Sequence, residues 1–275
     1  MKRSHSKLAL IIAITAVAAV AFGQAPGDLV VTPTKVVLDD KNHSGDITLV
    51  NRGTQAIRYR LTLVNMEMSE NGALRRIQGD ENSATDVLRL SPREILLDPG
   101  VSQRIKIAVF FPKGMPDREL RSHLSFEPIS MPKSALRTAS DQTGSLKLAF
   151  ELRSVVTIPV IARHGRLSAE ASISDAVAGQ DQDGFFAKFK LSRTGTRSIR
   201  GDAKVVFVPV GGSPRIVLGQ IVGLPVYVPN ADRIVTIRLN RDSRNLGKGE
   251  IEISFAEPER SRGAAMARTV IALTK

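Results

Sequence analysis

The sequence predicts an all-β protein of two sandwich domains behind an N-terminal export signal. Three observations carry this expectation. Short apolar–polar alternations recur along nearly the whole chain, and Gly, Pro, Asn and Asp punctuate them. No convincing helical stretch interrupts the first half. Near the middle, Ser145 to Gly165 (SLKLAFELRSVVTIPVIARHG) reads as one long strand passing from the first half into the second.

Lys2, Arg3 and Lys7 precede an uncharged apolar segment from Leu8 to Phe22, and small residues follow at Ala21, Gly23 and Ala25. That order is the signature of a secretory signal peptide over residues 1–23, with cleavage after Gly23 or Ala25. Its apolar core is shorter than the roughly 20 residues a spanning helix needs, and no later segment is a better candidate, so the exported protein is expected not to span a membrane. Removing residues 1–23 takes three of the 39 basic side chains and leaves 36 against 27 acidic ones, a formal charge of +9. A basic balance can mean nucleic acid, but the expected export argues against that and favours acidic protein segments or anionic membrane surfaces. The chain has no cysteine, so the fold rests on its cores alone.

In the first half, DLVVTPTKVVLDD places Pro33 inside an apolar pattern, which predicts a strand at an edge or one that changes partners there. A strand through Asp46 to Val50 follows, then a longer one from Ile57 to Met68 with Ile57, Tyr59, Leu61 and Leu63 on one face. Glu70-Asn71-Gly72 is a hairpin turn, and the polar residues 75–87 read as a loop. Asp98-Pro99-Gly100 turns between Glu94–Leu97 and Ser102–Phe111, and Leu120 to Pro128 adds another strand. Met131 to Gly144 is Ser/Thr/Lys-rich and leads into the central stretch. About seven short strands at this spacing suggest an immunoglobulin-like sandwich over residues 24–162.

The central stretch alternates strictly at first. Leu146, Leu148, Phe150 and Leu152 share one face, and Lys147, Ala149, Glu151 and Arg153 the other. From Val155 to Ile161 it becomes a nearly continuous apolar run, broken by Pro159. The even face of 146–152 covers either its own domain's core or an open groove of another chain. Beyond a short linker around residues 163–166, eight further strand-like segments (167–173, 185–192, 203–210, 215–218, 224–228, 233–239, 250–255 and 269–273) predict a second sandwich within residues 163–275.

Catalytic and metal chemistry find little footing. His43, His123 and His164 lie far apart without paired spacing, so no metal site is expected. Asp181-Gln182-Asp183-Gly184 lacks the later ligands of a calcium loop and reads as a polar hairpin turn. Gly247-Lys248 lacks the glycine spacing of a phosphate loop. No nucleophile elbow or acid–base pair is recognisable, and aromatic residues, at 4%, are too few for a stacking platform. A non-enzymatic protein without a cofactor is expected.

Four stretches together carry a resemblance: VTPTKVVL at Val31–Leu38, the Ser-Pro…Asp-Pro-Gly…Gln-x-Ile-Lys passage from Ser91 to Lys106, PDRELRSHLSF at Pro116–Phe126, and the central strand ending in IPVIAR. The chain resembles the periplasmic pilus-assembly chaperones of the PapD-like family over nearly its whole mature length, and more in the first half than in the second. The resemblance implies two immunoglobulin-like domains in a boomerang, located in the periplasm. Such a protein binds pilin or fimbrial subunits by lending a strand to their incomplete sheet and delivers them to an outer-membrane usher. Leu146, Leu148, Phe150 and Leu152 match the donated knobs, each contributing about 1.5–3 kcal/mol if fully buried. Lys35 matches the basic anchor of the subunit's C-terminal carboxylate, where many members have arginine. The second anchor has no match on the knob face, and Arg153, of opposite parity, reaches the cleft only through a bulge. Glu119 matches an acidic residue of interdomain ion pairing, with Arg163 as its partner and no third member placed. An exposed apolar edge implies self-association without a client. The alternative is an exported adhesion or scaffold protein of the same fold that binds no subunit and keeps the 146–152 face buried in its own sheets.

Overall fold

The computed structural model describes residues 29–129, 154–240, 246–258 and 266–273. Within them the chain forms two β-sandwiches. In the first, β1 (Leu29–Thr32), β3 (Ser44–Asn51), β8 (Ser102–Val109) and β6 (Leu88–Ser91) form one sheet in the order β1-β3-β8-β6. Against it packs a sheet in the order β2-β10-β9-β4-β5, made of β2 (Val36–Asp39), β10 (Val156–His164), β9 (Arg118–Ile129), β4 (Ile57–Met68) and β5 (Leu74–Ile77). β7 (Glu94–Leu97) also pairs with β4. The β2–β10 pair is parallel. The second sandwich stacks β11 (Ala169–Asp181), β12 (Gly184–Gly195) and β15 (Asp232–Arg238) on the sheet β14-β13-β16-β17. Its members are β13 (Ile199–Pro209), β14 (Ile216–Val226), β16 (Gly249–Ala256) and β17 (Ala267–Leu273).

Alternation decides what is inside. On β3, Ile47 and Leu49 point inward, and they meet Ile105 and Ile107 of β8, Leu124 and Phe126 of β9 and Ile158 and Val160 of β10 in the first core. Pro33, which has no amide hydrogen to give a ladder, marks the crossing between sheets: β1 pairs with β3, while β2 pairs with β10 in the other sheet. Tyr59 is fully buried in this core, and its hydroxyl has no hydrogen-bond partner. Tyr59→Phe is therefore expected to leave stability unchanged or to raise it by about 1 kcal/mol in urea unfolding.

Two segments differ from the sequence reading. Residues 75–87 are not simply a loop, because β5 pairs back onto the end of β4 and Ala84 and Val87 are buried in the first core. The segments 215–218 and 224–228 belong mainly to one strand, β14, whose register against β13 shifts twice. Gly219 sits in that strand because a Cβ there would come within 2.5 Å of the Arg238 carbonyl oxygen. The Asp181–Gly184 turn joins β11 to β12, and both of its carboxylates are engaged by Arg238.

Residues 165–168 connect the sandwiches, and their bend is held by two carboxylates. The Gly165 amide donates to Asp40 at 2.7 Å, His164 Nδ1 lies 2.7 Å from the same carboxylate, and the Arg166 amide donates to Asp117 at 2.9 Å. Gly165 adopts a φ of +75°, which favours glycine here. The same contacts, the Gly165 amide foremost, hold the Asp40 carboxyl below its ordinary range.

Candidate functional site

β9 presents two unlike faces. Leu120, Leu124 and Phe126 enter the first core, while Glu119, Arg121, His123 and Ser125 alternate with them on the face turned to the second sandwich, where all four are buried. β4 changes face along its length: Tyr59 and Leu61 serve the first core, but Met68 packs with the second. Ile161 of β10 joins it there, and Val37 packs against the same cluster. The seam between the sandwiches is thus an apolar contact with a polar row running through it.

Glu119 and Arg163 face each other across β9 and β10, with Arg163 Nε 2.9 Å from a Glu119 oxygen. The other carboxylate oxygen accepts from the backbone amide of Ser198 at 3.1 Å and, in a very short bond, from its hydroxyl. The Ser198 hydroxyl accepts in turn from the Val228 amide at 2.9 Å. Both members of the ion pair belong to the first sandwich, so it is Ser198 that carries the network across. Beside it, Arg197 and Glu257 form a buried two-pronged pair at 3.0 and 2.8 Å.

Further along β9, the Arg121 guanidinium lies 4.2 Å from the centre of the Tyr227 ring and donates to the Met66 carbonyl at 2.9 Å. Burial lowers its pKa from the ordinary arginine value. His123 meets the same ring edge-on, with centroids 6.2 Å apart. Burial, then the charge of Arg121, pushes its pKa down to about 4. The Asn230 side chain donates to the Met68 carbonyl, and the Ile234 amide to the Glu70 carbonyl, closing the seam.

Lys35 is half-buried in the crossing between β1 and β2. Val36 is paired with Val160, so the β10 residue beside Lys35 is Pro159, which in turn faces His123 on β9. β10 pairs with β9 over its whole length, but with β2 only from Val160 to Arg163. Among the described residues, the β2-side edge of Val156–Pro159 is therefore open, next to Lys35. Ser154 and Val155, just upstream, are exposed and outside any strand. The expected knobs Leu146, Leu148, Phe150 and Leu152, together with Arg153, lie outside the described residues, as does the expected signal segment 1–23.

A cleft of about 330 Å³ at the linker is lined by Asp39, Asp40, Arg163, Arg197 and Glu257 among others. Most of its charged groups are engaged: Arg197 with Glu257, Arg163 with Glu119, Asp40 with His164 and Gly165, and Asp39 with the turn amides at 41 and 42. Among the described residues no cluster of three metal-ligating side chains occurs, and no helix is long and apolar enough to cross a membrane.

Ser198, Arg121, His123 and Tyr227 were not singled out as site residues from the sequence. For the β9 pair a signal existed, since ELRSHLSF alternates polar residues at 119, 121, 123 and 125 with Leu120, Leu124 and Phe126. For Ser198 and Tyr227 no local pattern points across the seam.

No protein-family model and no curated protein matches this sequence. Its course is similar to several solved structures. One is a chaperone–tip adhesin complex of CFA/I fimbriae biogenesis, at 9% identity and a TM-score of 0.47, covering 90% of this chain and 100% of that one. Another is the E. coli chaperone DraB, at 15% identity and a TM-score of 0.44, covering 91% and 99%. A third is the Salmonella enterica SafA pilin in complex with the SafB chaperone, at 13% identity and a TM-score of 0.43, covering 90% and 96%.

Proposed function

We propose that this protein is a non-enzymatic periplasmic chaperone of pilus or fimbrial subunits. It binds them by lending a strand that begins in residues 146–152 and continues into β10, and it passes them to an outer-membrane usher. The single observation that carries this reading is the edge of β10 at Val156–Pro159, beside Lys35, which is open among the described residues. An edge with unpaired backbone groups is a template for an incoming strand, and a lysine beside its inner end supports an anchor for the carboxylate that terminates that strand. The four resembling stretches of sequence support the same reading.

The reading makes one structural demand. Ile158, Val160 and Ala162 of β10 belong to the first core, so the even-numbered knobs must turn to the opposite face upstream. Ser154 and Val155 are the residues at which that turn would occur. The second cationic anchor is then not on β10 beside Lys35, where Pro159 stands.

The test is a periplasmic pull-down of the tagged mature protein beside its Lys35→Ala and Phe150→Asp variants, with bound proteins identified by mass spectrometry. A small exported β-rich subunit is expected with the unmodified protein and is expected to be lost from both variants. The same partners on all three proteins, or none, would replace this reading by a scaffold of the same fold.

A further inference from the structure

The seam places a histidine where, among the described residues, its charged form has no counter-ion. His123 is 1% exposed, and neither ring nitrogen has a hydrogen-bond partner. Beside it on β10 is Pro159 and on β4 Val64, neither of which ionises. On its own strand the flanking residues of the same face are Arg121 and Ser125, and from the second sandwich it meets Tyr227. Of the nearby acidic residues, Glu119 is held by Arg163 and Ser198 and Glu127 by Arg76 and Ser125, while Asp80 lies on the far side of Arg121 and accepts from the Asn82 amide; from the second sandwich Arg200 and Arg233 add further positive charge near Tyr227. The next cation along the row, past Pro159, is Lys35. Arg121 already stacks on the ring that His123 touches, and one of its own nitrogens, Nη1, is buried without a partner. Among the described residues a second positive charge here has no acceptor and a cationic neighbour, and water is its nearest source of relief.

We propose that the contact between Tyr227 and β9 is acid-sensitive, with His123 as the proton acceptor whose charging drives Tyr227 and the following residues 228–230 away from Arg121. The sign follows from the two states. In the closed seam His123 holds its proton only near pH 4, whereas once exposed to water it titrates near the ordinary histidine value of 6.5. Opening therefore takes up a proton between those limits. The closed contact keeps its full advantage above about pH 6.5 and loses it progressively as the pH falls towards 4. Across that interval the open-to-closed ratio rises by roughly a hundredfold. Opening gives up the bonds from the Val228 amide to the Ser198 hydroxyl and from the Asn230 side chain to the Met68 carbonyl, while the first core, the Glu119–Arg163 pair and the carboxylate-held linker are not involved, so the change is local to the seam.

The chain offers its own probe, because it has two tyrosines and no tryptophan. In the full chain carrying Tyr59→Phe, Tyr227 is the only tyrosine left. Its fluorescence intensity and its quenching by acrylamide, followed from pH 7.5 to 4.5, are expected to change while the far-ultraviolet circular dichroism stays constant. Adding His123→Phe or His123→Gln should abolish the transition, and two variants are used so that a packing defect in one does not decide the result. A flat fluorescence profile, a transition that persists in both His123 variants, or a fluorescence change that coincides with loss of strand signal would each overturn the proposal.

Discussion

Replacing Glu119 by alanine is expected to lower the unfolding free energy by about 3–5 kcal/mol. The carboxylate side chain is 1% exposed and has three partners: the Arg163 guanidinium, the Ser198 amide and the Ser198 hydroxyl. Its removal strands the buried Ser198 amide and leaves Arg163, 21% exposed, with only part of its charge accessible to water. Glu119→Gln keeps the shape and should cost less, since the amide oxygen can still accept from Ser198 while the charge is lost. Urea unfolding of the Glu119→Ala, Arg163→Met and double variants closes a thermodynamic cycle. A coupling above about 1 kcal/mol is expected for two groups in direct contact. A cost for Glu119→Ala below about 1 kcal/mol would mean that water enters the seam and replaces the clasp.

The second large effect is expected at Asn51, which is fully buried at the end of β3. Its side-chain nitrogen donates to the Gln55 carbonyl at 2.8 Å and to the Leu97 carbonyl at 2.9 Å, and its oxygen accepts from the Gly53 amide at 2.9 Å. Leu97 ends β7 in the opposite sheet, so one amide side chain both shapes the turn after β3 and ties the two sheets of the first sandwich. Asn51→Ala leaves three backbone groups unpaired, of which at least the Leu97 carbonyl is enclosed, and should cost about 3 kcal/mol. Asn51→Asp is the sharper variant. It retains an acceptor for Gly53 but turns a carboxylate towards two carbonyl oxygens, and it should destabilise more at pH 7 than at pH 4. Thermal unfolding at both values checks this, and equal losses at the two would mean that the site is open to solvent.

Much of the fold was legible because strands write their faces into the sequence. Ile47 and Leu49 on β3, and Ile105 and Ile107 on β8, are inward where period two puts them. Pro33 marked a change of partner by its missing amide hydrogen. The misreadings have physical causes as well. β5 is largely polar and exposed, so no buried face announces it, and β14 carries two glycines and shifted register that imitate a break between two strands. On β4 the buried face moves from Tyr59 and Leu61 to Val64 and Met68, because the strand leaves its own core and enters the seam.

The sequence by itself determined most of the strands, their inward faces and many of the turns between them, and the family resemblance suggested the opposition of Glu119 to Arg163. Those features depend on local periodicity, on backbone chemistry at Gly and Pro, and on a motif short enough to read. The tertiary structure alone decided that Ser198 takes up the free oxygen of Glu119, that Arg121 and His123 share the ring of Tyr227, and that Asn230 and Ile234 close on Met68 and Glu70. These partners stand far apart in sequence and on different sheets. Their meeting depends on how two sandwiches dock, and a pattern with a period of two residues holds no information about what lies across such a seam.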